Sequence, residues 1–377
     1  MLEGVGVVGT GSLARILIPT LQAVGIRIVA LWGPTLEKAA ELARLFNISY
    51  HTDQIDNVLL NPEVDLVCIN TPPHLHAQVA SKALGIGKHV LCERPAGLNK
   101  NDAHKMVTAA QYYPSLMSIM NHCLRFLPAF IRVKRMIQDG EVGDVFLCDV
   151  KVTCGSLLRD KYNWMCDENM GGGVLNTFGS HLIDVITFIT GQKAVRVRGM
   201  LKTFVRQTDK INGIRHITSD DFCSFQMELS HQVCVSVTLN THVPGQFKQE
   251  ILVVGSEGRL TLREADLYGQ VGGMAREQLL MADIQHITER QKQGIPTNQV
   301  PLPYLKGMLK LIDALKESFE RKKERLSWEQ EPVALAANFE DAEYVQAVLD
   351  AIRESNRSGT WEPVNLSTDG NPYHFYH

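Results

Sequence analysis

A run of about eighteen or more apolar residues, the least that makes a membrane-spanning helix, is nowhere found in this 377-residue chain. An excess of charge of one sign is missing as well. The formal net charge is -3, with 21% charged residues, so no basic face calls for nucleic acid or an anionic membrane as a partner. The eight cysteines, Cys68, Cys92, Cys123, Cys148, Cys154, Cys166, Cys223 and Cys234, contain no CxxC pair. Neither a metal site nor a disulfide framework is expected. Several lie in apolar runs such as "DLVCIN" and "HVLCE", which reads as buried reduced thiols. That points to a reducing compartment, the cytoplasm, with secretion as the alternative. Repeats and low-complexity segments are absent. So is the basic start of a signal peptide: "MLEGVGVVGTGSLARILIP" carries Glu3, and glycines break its apolar run.

What is present is ordinary globular composition, 45% hydrophobic, in a length that suggests two domains. "GVGVVGTGSLARILIPTLQAV" reads as a strand, a glycine turn and a helix. "IRIVALWG" is a second strand, and "TLEKAAELARLFN" an amphipathic helix with Thr35 as N-cap. "VDLVCINTPP", "KHVLCERP" and "SLMSIMN" read as further strands, separated by helical segments. Strand and helix alternate to about residue 121, the pattern of βαβ units in a parallel doubly wound sheet. Beyond it "FLPAFIRVKRMIQDGEVG" reads as one helix. Long runs rich in Val, Thr and Phe follow, from "DVFLCDVKVTC" to "KQEILVVGSEGRLTLRE", and they predict a large, mostly antiparallel sheet. "SHLIDVITFITG" is helical among them. Residues 269–303 read as irregular, and two helices close the chain. The expected division is 1–121, a Rossmann dinucleotide-binding domain; 122–361, an α+β domain for substrate and dimerisation; and 362–377, a tail.

"GTGSLA" fits G-x-G-x-x-G/A in the context that gives the pattern meaning, after a strand and opening a helix. Gly9 permits the turn, Gly11 lets a pyrophosphate approach the backbone, and Ala14 lets the helix pack on the sheet. Ser12 and Leu13 lie at the helix start, where unpaired N–H groups and the helix dipole favour phosphate. An ordinary strand-to-helix turn is the competing reading. An acidic residue at the end of the second strand would hold the ribose 2′-OH of NAD. Here Trp32, Gly33, Pro34 and Thr35 supply no carboxylate, and Thr35 can donate to a 2′-phosphate. NADP is therefore expected, with NAD as the alternative. Asn70, Thr71 and Pro72 end a parallel strand at the ligand-binding edge of such a sheet. His76 opens the next helix, either beside the cofactor or as a helix-start residue.

"GTGSLA", "VDLVCINTPPHLHAQVASKALGIGKHVLCERPAG", "HCLRFLPAF", "GGGVLNTFGSHLIDVITFITG" and "VVGSEGRL" occur in this order, and the chain resembles the Gfo/Idh/MocA oxidoreductases over nearly its whole length. "YNWMCDENMGGGVLNTFG" and "LKTFVRQTDKINGIRHITSDDFCSFQM" are similar to the animal branch of glucose-fructose oxidoreductase domain-containing proteins. The resemblance implies an N-terminal Rossmann domain, an α/β domain whose open sheet face makes a homodimer, and oxidation or reduction of a sugar or polyol. It places Glu93 and Arg94 where the family carries Glu-Lys-Pro, the lysine reaching nicotinamide and substrate. Arginine binds and polarises an oxygen but does not act as a base; an ion pair with Glu93 or another carboxylate is the structural alternative. It makes His181 the acid/base residue and puts Thr177 where the family has an aspartate. It further implies that Tyr162, Asn163, Trp164 and Asn176 line the substrate pocket, with Tyr162 an alternative base, and that His122 and Arg125 lie near it, Arg125 equally readable as a structural ion pair. Two other activities are compatible with these replacements: a weakly catalytic dinucleotide-binding scaffold or sensor, and a cofactor-retaining enzyme that cleaves glycosides.

Overall fold

The computed structural model describes residues 4–158, 162–207, 216–284, 300–320, 328 and 332–366. The chain divides into two units: Met1–Gly97, Lys105–Leu127 and Ile284–Glu340 form the first, and Leu98–His104, Pro128–Asp283 and Asp341–His377 the second.

The first unit is built on strands β1 (Val5–Val8), β2 (Ile28–Trp32), β3 (His51–Thr52), β4 (Leu66–Ile69), β5 (His89–Cys92) and β6 (Ser118–Met120). Helices α1 (Ala14–Ala23), α2 (Leu36–Leu45), α3 (Ile55–Leu59), α4 (His76–Gly85) and α5 (Lys100–Tyr112) connect them. Every residue of β1, β2, β4 and β5 is buried, which is why these strands are continuous apolar runs rather than alternating ones. The six pair in parallel. β3 and α3 have no counterpart among the expected elements; a two-residue strand is too short to show a period.

Residues 284–340 differ from the expected division: they belong to the first unit. The reason is packing. Helix α8 (Leu302–Glu320) lies against the 3-10 turn Cys123–Phe126, where a β-carbon on Gly307 would come within 2.5 Å of the Cys123 carbonyl. A late strand, β15 (Ala337–Asn338), then pairs antiparallel with β6. The sheet order is β15-β6-β5-β4-β1-β2-β3. The chain runs from β1 to one side and returns through β4 to the other. The reversal point, where α/β sheets bind ligands, lies between the carboxyl ends of β1 and β4.

The second unit holds nine strands: β7 (Val145–Thr153), β8 (Ala194–Lys202), β9 (Phe222–Leu229), β10 (Cys234–Asn240), β11 (Lys248–Gly255), β12 (Gly258–Arg263), β13 (Asp266–Gln270), β14 (Gln278–Met281) and β16 (Glu362–Pro363). Their order is β14-β13-β12-β11-β7-β10-β9-β8-β16, antiparallel except for β7 with β10. β14 pairs with β13 inside the stretch expected to be irregular, and β16 comes from the expected tail; residues 285–299 and 367–377 lie outside the described residues. Burial alternates along β9, β10 and β11, so one face forms core and the other is more open. Helices α6 (Pro128–Gln138), α7 (Ser180–Thr190) and most of α9 (Phe339–Ser358) belong to this unit. α6 begins at a proline, which suits a first helical position.

Candidate active site

Gly9 leaves β1 with φ +141, a conformation L side chains rarely adopt, and a β-carbon there would lie 2.4 Å from the Asn70 carbonyl oxygen. The close approach of the two strand ends requires glycine. Gly11 is the opposite case: a β-carbon would meet nothing within 4 Å. The backbone is open on that side, as a cradle for a ligand must be. The ten residues of α1 follow with no side-chain cap at the N-terminus; the N–H groups of Arg15, Ile16 and Leu17 bond back to the Gly11 and Leu13 carbonyls. Ser12 and Leu13 form the turn into it, and Ala14 is fully buried against the sheet.

At the same sheet edge, Asn70 Oδ1, Thr71 Oγ1, Glu93 Oε2 and Asn121 Oδ1 are buried without a hydrogen-bond partner among the described residues. Such atoms are costly unless something completes them. They stand just past the ends of β4, β5 and β6. An open glycine turn, an uncapped helix and polar atoms awaiting partners fit a phosphate-bearing dinucleotide. Asn121 Nδ2 donates to Glu93 Oε1. Burial pushes the Glu93 carboxyl up, against the opposing pull of the Arg94 charge and the Asn121 amide. Arg94 is half-buried and joined to Pro95 by a cis peptide.

His76 is 1% exposed, with Nδ1 2.8 Å from the Pro95 carbonyl and Nε2 2.7 Å from the Thr71 carbonyl. Burial pushes it down to about 4, the two carbonyls pulling the other way and the Arg94 and His74 charges adding to the fall. Both nitrogens face protein carbonyls, and the neutral ring, with a single N–H, donates to one of them, between the Pro95 turn and the end of β4. At the end of β2 the polar groups are similarly engaged. Trp32 Nε1 donates to the Asp53 carbonyl and the Gly33 N–H to the Thr52 carbonyl. Thr35 caps α2, its Oγ1 accepting from Lys38 N at 3.3 Å, and its hydroxyl donates to the Glu37 carboxylate. Pro72 opens the tight link into α4. His122 and Arg125, both buried, lie in and beside the turn after β6 that α8 covers.

In the second unit, Asn163 caps a 3-10 turn, Trp164–Cys166, by accepting from Met165 N, and Tyr162 packs on the small core of Cys166 and Ile217. The glycine cluster then runs into a π-helical turn, Leu175–Gly179, continuous with α7. The turn that leads into α7 is therefore wider-wound than an α-helix, a feature that recurs at functional sites. The Thr177 hydroxyl donates to the Gly173 carbonyl at 2.8 Å. It remains an acceptor and supplies no charge. His181 is 3% exposed. Asn176 is committed to protein at both ends: Nδ2 donates to the Gly171 carbonyl and Oδ1 accepts from Arg353 Nη2. These two bonds fasten the loop and leave one N–H and one lone pair of the amide for a further partner.

Asn121, Asp220 and Arg353 had not been singled out from sequence. Asn121 could have been, since it ends a core strand at the same edge as Asn70 and Glu93. The doubled "DD" before β9 is a weak signal for Asp220. Arg353 lies 177 residues from Asn176, and no local pattern links them.

A family model described as "Oxidoreductase family, NAD-binding Rossmann fold" matches residues 4–120, and one described as "GFO/IDH/MocA C-terminal domain" matches residues 130–261. The chain belongs to the Gfo/Idh/MocA oxidoreductase family. Among its relatives, the glucose-fructose oxidoreductase domain-containing protein 2 of Mus musculus is 52% identical, covering 97% of this chain and 94% of its own. The corresponding protein 1 of Xenopus tropicalis is 49% identical over 98% and 94%. Of solved structures, an oxidoreductase domain protein from Kribbella flavida has a TM-score of 0.80 at 21% identity, covering 97% of this chain and all of its own. A levoglucosan dehydrogenase in complex with NADH and levoglucosan has a TM-score of 0.78 at 19% identity, covering 96% and 99%. The fold these structures share with the Gfo/Idh/MocA family is the one described above. No helix among the described residues is long and apolar enough to cross a membrane.

Proposed function

We propose that this member of the family is an NADP-dependent oxidoreductase acting on a sugar or polyol, with His181 as acid/base and Arg94 as the group that polarises the reacting oxygen. The observation that carries the reading is the edge between β1 and β4, where Gly9 and Gly11 open the backbone beside buried polar atoms that lack partners. A bound nicotinamide supplies a hydride acceptor or donor there. Arg94 holds an oxygen but does not take its proton, so proton transfer falls to His181. Thr177, with its hydroxyl turned to Gly173, orients by accepting a hydrogen bond and lends none of the charge an aspartate would. NADP is preferred to NAD because the segment Trp32–Thr35 carries no carboxylate to repel a 2′-phosphate. Tyr162, Asn163 and Trp164 complete the substrate loop in this reading. His122 and Arg125 lie beyond the last Rossmann strand.

A second reading, a dinucleotide-binding protein with little turnover, draws support from Arg94 and Thr177, which stand where the resemblance expects lysine and aspartate. In both readings the open face of the nine-stranded sheet serves as a homodimer contact. The cytoplasm is the compartment, in keeping with seven buried free thiols and one exposed, Cys234.

The test is to purify the protein without added cofactor, denature it and identify released nucleotide by mass spectrometry, followed by titration with NADP and NAD. Stoichiometric NADP, or tighter binding of NADP than of NAD, is the expected result. Binding without turnover across a sugar panel would favour the second reading. Failure to bind either nucleotide would overturn both.

A further inference from the structure

We propose that Asp220 is a positioning residue for the segment that carries Thr177 and His181, acting together with Arg353. The inference rests on the reading that His181 serves the reaction.

Asp220 meets the entrance of the π-helical turn at two points. Its backbone carbonyl accepts from Val174 N at 2.8 Å, and its carboxylate Oδ2 accepts from Leu175 N at 2.7 Å. The approach depends on Gly173, which has φ +111, and where a β-carbon would lie 2.1 Å from Asp220 Oδ1. No residue other than glycine admits the carboxylate. A charged acceptor at the positive end of a helical segment is favoured by both the unpaired N–H groups and the dipole. Arg353, from α9, holds the next residue along by donating to Asn176 Oδ1, while Ser180 Oγ donates to the Asn176 carbonyl. The turn is thus gripped at Val174, Leu175 and Asn176, immediately before Thr177, and nothing in the chemistry of His181 itself requires these groups.

The grip responds to protons. Burial pushes Asp220 up to about 6, while the Leu175 N–H and the Arg353 charge pull it down and the Asp221 charge adds to the rise. The groups around it are Arg353 from α9, itself 3.6 Å from the Asp350 carboxylate, Arg357 in the same cleft, Asp221 next in the chain with His242 at 3.1 Å from the Asp221 carboxylate, and Cys223 on β9, whose thiol the Asp220 charge helps to raise. Glu168 and Asn169 line the cleft that Asp220 shares with Arg353. Ionised, the carboxylate accepts from Leu175 N as a charged partner. Protonated, it is a weaker acceptor and the entrance of the turn loosens.

The experiment uses the full chain labelled with 15N-threonine, following the Thr177 backbone amide from pH 4.5 to 8, with Thr177→Ser assigning the signal. The expected result is an inflection near pH 6 that Asp220→Asn abolishes and Arg353→Gln moves to higher pH, both variants keeping the folded spectrum. An inflection that persists in Asp220→Asn, or a Thr177 signal that Asp220→Asn leaves unmoved, would overturn the proposal. A merely stabilising role would lower the melting temperature without touching the inflection. Should Asp220→Asn not fold, the Arg353→Gln shift decides, and its absence overturns the proposal. Nucleotide binding and turnover do not enter this readout, so a failure of the oxidoreductase reading shows separately in the nucleotide titration.

Discussion

Gly9 and Gly11 belong to one short motif and do different physical work. At Gly9 a side chain would need both an unfavourable φ and the space held by the Asn70 carbonyl. Gly9→Ala is therefore expected to destabilise the first unit by roughly 2 kcal/mol or more, seen as a lower urea midpoint. At Gly11 the space is open, so Gly11→Val should leave the midpoint nearly unchanged while weakening nucleotide affinity about tenfold or more. The contrast separates a folding glycine from a binding one. His76 makes a pH-dependent prediction. Its folded pKa of about 4 lies below the ordinary 6.5, so the unfolded chain binds the extra proton between these values. Stability attributable to this group is full above about pH 6.5 and falls as pH drops toward 4, by on the order of 3 kcal/mol in all. His76→Gln should flatten that acid limb in urea titrations at pH 5 and 7.

At the scale of elements, the decisive feature of the second unit is the π-helical start of the His181 helix. A π turn survives only where its surroundings hold it. Here Asp220 and Arg353 do so from two separate segments, at Leu175 N and at Asn176 Oδ1. Asn176→Ala removes two buried side-chain hydrogen bonds, one of them to a guanidinium. The expected cost is roughly 2–4 kcal/mol, read by chemical denaturation, with nucleotide affinity in the first unit unchanged. A small loss of stability would mean that the two bonds contribute little to holding the turn. α1 illustrates the converse, a helix whose start carries no side-chain cap.

At the scale of the whole molecule, two expectations follow from the family. If Arg94 and Thr177 limit turnover, Arg94→Lys with Thr177→Asp should raise kcat on a sugar substrate at least tenfold over the unaltered chain, with nucleotide affinity little changed; equal rates would mean that other residues set the limit. If the nine-stranded sheet mediates dimerisation, the unaltered chain should sediment at twice the chain mass. Ser236→Arg with Thr238→Arg, on the more open face of β10, should then return it to the single-chain mass. A monomer at micromolar concentration before any substitution would remove the sheet from consideration.

The alternation of strand and helix to residue 121, the glycine turn and the antiparallel texture beyond were legible in the sequence because each rests on local periodicity or on a few adjacent residues. Gly9 and Gly11 could be named from the glycine motif and Asn70 from the end of a parallel strand, where ligands sit; Glu93 follows from the resemblance to the family. The sequence by itself thus determined the fold class, the family and the position of the glycine turn after β1. Tertiary structure decided what no window of residues contains. It returned α8 and β15 to the first unit and turned both nitrogens of His76 toward protein carbonyls. It also wound the segment before His181 as a π turn held by Asp220 and Arg353. The first and last depend on contacts between residues far apart in the chain and the His76 contacts on residues 5 and 19 positions away; in all three, burial and hydrogen-bond satisfaction, rather than local propensity, select the conformation.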